Sequence, residues 1–277
     1  MIFFLIFFLS NVSFSKTFEI NKDDLKYIIE ENTYSYFDEI TPFCLGAVNN
    51  PETILNFGTL LGKNLLSQGI RGTVIGMPLT LTNGEYNENL FGNSPYFVAE
   101  TLKNLSYGLL NSGVLPILDL RYGYDEIVMK SLINRKLFLP MLIDEYTSSD
   151  LVDEIKKYDL PVLSTEGKIV YLPSDLRFPD WNKEYENIPM DEIVMQILIQ
   201  STVIIKRMKT HDSYSIINEG YNMNVDNKAV IVLNNPMLVN VKYYDCILLV
   251  HSLNDEVLEN AEKIIKGISS SGGRKNW

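Results

Sequence analysis

The chain has 277 residues, 46% of them hydrophobic and 21% charged, and its 35 acidic against 24 basic side chains give a formal charge of −11. That is an ordinary globular composition, with room for one large α/β domain or for a barrel plus a fragment of something else. The acidic surplus opposes non-specific binding to nucleic acid or to anionic membranes, and it does not exclude a neutral sugar or peptide substrate.

Residues 1–9 are almost wholly apolar, and residues 10–15 are mostly small and polar. Nine apolar residues cannot span a bilayer, which needs roughly 20, so stable membrane insertion is not expected. The run reads instead as the core of a secretory signal peptide cleaved near Ser13 or Ser15, which implies an exported protein, although no positive charge precedes it. Residues 51–66 form a helix with Pro51 at its first position and Gly69 just past its end. Residues 72–79 are a strand candidate running into a polar loop. Residues 90–125 form one loop–helix–strand–loop unit: Ser94 is the expected N-cap, Pro95 opens the helix, Gly113 ends it, and residues 114–120 are the strand. The polar segment Arg121-Tyr122-Gly123-Tyr124-Asp125 follows at the strand's C-terminal end.

Further along, a helix over 126–132, a strand over 138–143 ending at Asp144-Glu145, a helix over 150–157 and a strand over 168–172 are expected. The apolar run 190–206 reads as one long, well-buried helix. The recurring order of strand, polar loop and helix is the signature of parallel α/β architecture. A polar stretch at 209–227 reads as a linker, and beyond it lie strands at 229–233 and 245–250 and a helix at 255–268. The Ser/Gly-rich residues 269–274 read as a flexible end. Cys44 and Cys246 are far apart and read as two buried free thiols rather than a disulfide. His211 and His251 stand alone, without Cys or His at ligand spacing, so neither a metal nor a cofactor is expected.

Several landmarks taken together resemble glycoside hydrolase family 3, most nearly its β-N-acetylhexosaminidase type. Gly46-Ala47, Pro51-Glu52, Gly58, Leu61-Gly62, Leu65 and Gly69-Ile70 follow the family's spacing. Leu90-Phe91-Gly92-Asn93-Ser94-Pro95 stands where the family has R-S-F-G-s-d-P, and Gly113-Val114-Leu115 matches the next strand's start. Residues 169–178, running through Pro173-Ser174-Asp175-Leu176, are similar to the family's v-v-i-S-D-D-L-x-M. The resemblance covers about residues 40–205. It implies a TIM-type (β/α) barrel at 16–208, expected to be incomplete, followed by a short C-terminal α/β extension at 209–277.

What the resemblance implies for function is hydrolysis of β-linked (amino-)sugars by a retaining mechanism, in which one carboxylate attacks and a second group protonates the leaving oxygen. The nucleophile position falls on Asp175, or on Ser174 in the gapless match, and serine cannot supply an attacking carboxylate. The family's K-H-F-P-G-H-G motif falls on residues 119–125 and keeps only Gly123, so Asp119 and Leu120 replace the sugar-holding Lys and His. Asp119 and Arg121 are the candidate substrate-binding residues. Each has a competing structural role: Asp119 as cap of the next helix, which is favoured, and Arg121 as partner of a nearby acid. Asp144-Glu145 could serve as an acid/base pair or as solvated loop residues, and Tyr122 and Tyr124 could stack on a sugar or pack the rim. Two functions follow as expectations: a weakly active or inactive glycosidase, or an exported, non-catalytic carbohydrate-binding or structural module.

Overall fold

The computed structural model describes residues 40–81, 85–135, 137, 139–165, 169–171, 186, 188–218 and 228–275. Residues 1–15, read as a signal peptide, and the Ser174–Asp175 pair lie outside them. Two capped helices come first among the described residues. In α1 (Pro42–Ala47) the Thr41 hydroxyl accepts from the Cys44 N–H, and in α2 (Pro51–Ser67) the Asn50 side chain accepts from the Glu52 N–H. Both start with proline, whose missing N–H costs nothing in a first turn.

The first sheet is built from β1 (Gly72–Gly76), β2 (Leu115–Asp119), β3 (Met141–Ile143), β4 (Val162–Ser164) and β5 (Ile169–Tyr171), in that order. Its first four strands are parallel and linked by α3 (Pro95–Ser112), α4 (Glu126–Asn134) and α5 (Ser149–Lys157). The strand expected at 168–172 is present as β5, but it runs antiparallel to β4 because only residues 165–168 separate them, too few for a crossover. Among the described residues the sheet stays open, with β1 and β5 as its outer strands.

The expected unit at 90–125 is present, with one change at its start. Ser94 occupies the N-cap position of α3 but makes no side-chain capping bond. Gly113 does end α3 as expected, with φ 105° and its N–H on the carbonyls of Leu109 and Leu110. Helices α2 and α3 cross in close contact through glycines: a Cβ on Gly108 would lie 2.3 Å from the Leu55 carbonyl oxygen, and one on Gly58 would lie 2.6 Å from that of Leu105.

The single helix expected over 190–206 is a correction. The chain forms α6 (Asp191–Gln200), turns at Ser201-Thr202, and continues as β6 (Val203–Arg207). Both hydroxyls donate to the Leu198 carbonyl, satisfying the helix's last turn, and the β-branched Val203-Ile204-Ile205 then prefers a strand. A second sheet follows in the order β6–β9–β8–β7, where β7 is Ser215–Ile217, β8 Ala229–Leu233 and β9 Cys246–Val250. Strand β7 lies inside the stretch read as a linker. Strands β7, β8 and β9 are parallel, and β6 is antiparallel to β9. Helix α7 (Asp255–Ile265) packs on the face carrying Ala229, Ile231, Cys246 and Leu248. One buried cluster runs through both sheets, from Ile75, Leu118 and Met141 to Ile231, Leu248 and Ile264.

Residues 269–274, read as a flexible end, are tied to α1 and α3. Gly273 forms an antiparallel bridge with Val48 and donates to the Thr202 carbonyl at 3.0 Å. The Arg274 guanidinium donates to Gly46 O and Thr101 Oγ1, both at 2.9 Å, and lies 4.1 Å over the Phe97 ring. Burial among these groups pulls its pKa down to about 10, so it stays charged. Composition alone reads as floppy here because glycine is needed for close approach: a Cβ on Gly273 would meet Thr202 O at 2.6 Å.

Candidate functional site

In a parallel β/α sheet, ligands gather at the C-terminal ends of the strands, where the loops are free to carry chemistry. Asp119 is the last residue of β2 and is completely buried. A buried carboxylate needs compensation, and Arg121 supplies it from two residues on. The Arg121 backbone N–H and Nε reach Oδ1 at 3.0 and 2.9 Å, and Nη2 reaches Oδ2 at 2.6 Å. The structure thus joins the two candidate binding residues into one bidentate pair. Asp119 is not the cap of the next helix; its structural role is this pair and turn. The Arg121 guanidinium also lies 5.7 Å from the centre of the Tyr122 ring, which is 66% exposed.

Capping falls to Asp125, whose Oδ1 accepts from the N–H groups of Ile127 and Val128 at 2.8 and 3.1 Å. Its Oδ2 accepts from Thr80 Oγ1 at 2.9 Å, and its own N–H donates to the Pro78 carbonyl at 2.8 Å. This one residue therefore starts α4 and ties the loop after β1 to the loop after β2. An Asp directly before an apolar-periodic segment is an N-cap signal, so its capping could have been read from the sequence. The link to Thr80 could not.

The remaining candidates divide between structure and surface. Asp144 closes its own turn: Oδ1 accepts from the Tyr146 N–H at 3.0 Å and from Thr147 Oγ1 at 2.9 Å. Its neighbour Glu145 is exposed, so the two adjacent carboxylates do not share an environment. Asp119 pairs in register with Leu142, and Asp144 lies one residue past the end of β3. Tyr124 packs against the core, and burial together with a hydrogen bond to Glu154 raises its hydroxyl to about 12. Asp175 and Ser174, the candidate nucleophile positions, lie outside the described residues.

Among the described residues, this rim offers a guanidinium–aromatic surface rather than a pair of free carboxylates. Both oxygens of Asp119 are held by Arg121, Asp125 is a cap, and Asp144 is a turn. The Tyr122 ring beside a planar cation is suited to stacking on the apolar face of a sugar. Among the described residues, no cluster of three or more His, Cys, Asp or Glu side chains could hold a metal ion, and no helix is long and apolar enough to cross a membrane. Cys44 and Cys246 are both buried free thiols.

No protein-family model and no curated protein sequence matches the chain. Solved structures do. A β-glucoside phosphorylase named BglX aligns with a TM-score of 0.58 at 10% identity, covering 85% of this chain and 79% of its own. A β-D-glucoside glucohydrolase from Trichoderma reesei gives 0.55 at 10% identity over 84% and 63% of the two chains. A β-glucosidase from Chaetomella raphigera gives 0.54 at 11% identity over 87% and 66%. At such identities the likeness speaks for fold alone: this chain shares a mixed α/β fold with these β-glucoside-acting enzymes.

Proposed function

We propose that the protein is a carbohydrate-binding barrel of the family-3 type whose hydrolysis of β-linked (amino-)sugars is weak or lost. The observation that carries this reading is the Asp119–Arg121 pair. It stands where the resemblance places a sugar-holding Lys and its neighbours, and its charges are spent on each other. A shared fold does not confer a shared activity. The exposed Tyr122 ring over Arg121 supports retention of a sugar-stacking surface. The apolar residues 1–9 support export of the protein to a compartment where free glycans occur.

The test uses the purified chain against a chromogenic β-glucoside and a chromogenic β-N-acetylglucosaminide, beside an Asp175→Asn variant. Turnover at the background rate, with a thermal shift from oligosaccharides that Tyr122→Ala removes, is the expected result. Clear turnover abolished by Asp175→Asn would overturn the reading in favour of an active retaining glycosidase.

A further inference from the structure

The second sheet carries two surfaces of opposite character, one on each face. Side chains alternate across a strand, so Ala229 and Ile231 face the helices while Val230 and Val232 face the other way. On the helix side, α6 and α7 leave a groove of about 670 Å³ between them. Met195 and Ile199 give it an apolar lining, and Asp191, Glu192 and Glu256 line it with acid. None of these three carboxylates is in an ion pair with another described residue. The buried Oε1 of Gln200, also in the lining, has no hydrogen-bond partner among the described residues.

On the opposite face, the parallel strands β8 and β9 are joined by residues 234–245, which contain a single 3₁₀ turn, Pro236–Leu238, and no α-helix. Leu238, Val239 and Tyr244 of this connection cover Val230, Val232 and Ile247. Its outward side chains reach solvent: Met237, Val241 and Tyr243 are 42%, 47% and 67% exposed. Lysines gather at the same place. Lys206 Nζ donates to the carbonyls of Val241 and Tyr244 at 2.8 and 2.6 Å, Lys228 Nζ donates to that of Tyr243 at 3.4 Å, and Lys242 is exposed between Val241 and Tyr243. On a chain of net charge −11 this is a local concentration of cations around an apolar tip.

We propose that the 234–245 connection of one molecule docks in the α6–α7 groove of a second copy. Apolar tip meets apolar lining, and Lys228 and Lys242 meet Asp191, Glu192 and Glu256. Because the two surfaces lie on opposite faces of one sheet, they cannot satisfy each other across a two-fold axis. The contact is head-to-tail and propagates along a row of molecules. The tip is small, so the association is weak and reversible, below the size class of permanent interfaces.

Sedimentation velocity of the full chain over a concentration series reads this out, with charge reversals placed only on exposed side chains. Wild type should show concentration-dependent association that falls with added salt. Lys242→Glu or Glu256→Lys alone should weaken it about tenfold. An equimolar mixture of the two variants should recover wild-type association, because each reversed tip then finds a reversed groove. A wild type that stays monomeric throughout the series would overturn the proposal. So would single variants that associate as wild type does, or a mixture that fails to recover.

Discussion

His251 sits one residue past β9, 3% exposed, with its Nε2 lacking a hydrogen-bond partner among the described residues and its ring 5.9 Å edge-on from Phe43. Desolvation alone pushes its pKa from 6.5 down to about 3, so the folded protein holds the ring neutral where the unfolded chain would take up a proton. The sign follows for a base with a depressed folded pKa. Stability is fully present above pH 6.5 and is lost as pH falls from 6.5 towards 3. Each unit in that window is worth about 1.4 kcal/mol, which gives about 2 kcal/mol lost at pH 5 and about 3 kcal/mol at pH 4. Urea unfolding at pH 7.5 and pH 5, of wild type and of His251→Leu, isolates this contribution, since every other titrating group is common to both. Wild type should lose about 2 kcal/mol more than the variant across that interval. Parallel losses in the two proteins would refute the account, by showing that the ring takes up its proton equally well in the folded state.

Two further outcomes follow from close packing. Gly108→Ala, a change that gains about 1 kcal/mol in an ordinary helix interior, should here cost about 2 kcal/mol or more. The new methyl carbon would sit 2.3 Å from the Leu55 carbonyl oxygen, and chemical denaturation midpoints check the sign. Arg274→Ala should lower stability by about 2 kcal/mol through loss of its bonds to Gly46 and Thr101 and its place over Phe97, read as a drop in melting temperature. An unchanged melting temperature would show that residues 269–275 are held by their backbone bonds alone.

Much of the fold is legible in the sequence wherever a boundary is marked by a residue with one conformational use. Proline opens α2 and α3, and Gly113 closes α3 at a positive φ that other residues resist. The break between α6 and β6 has no such mark. Ser201-Thr202 ends the helix through two hydroxyl bonds to Leu198, and an apolar run of helix length continuing into β-branched residues hides the change of period. Residues 269–274 are misread for the opposite reason: Gly273 looks like slack but is demanded by close contact with Thr202. At the site, the sequence brings Asp119, Arg121 and Asp125 into one loop but cannot say which carboxylate is paired and which is a cap. That depends on Arg121 folding back over two residues and on Thr80 arriving from 45 positions away.

The bond from Arg274 to the Gly46 carbonyl spans 228 positions of sequence. A growing polypeptide must therefore make almost all of the described residues before α1 can acquire its last partners. Until then Phe97 and Thr101 lack the cation that covers them, and the seat later filled by Gly273 between Val48 and Thr202 stands open to other strands. Contacts of such high sequence separation slow folding and prolong exposure of unpaired backbone. The vulnerable moment in this protein's life comes during synthesis, just before Gly273 and Arg274 arrive.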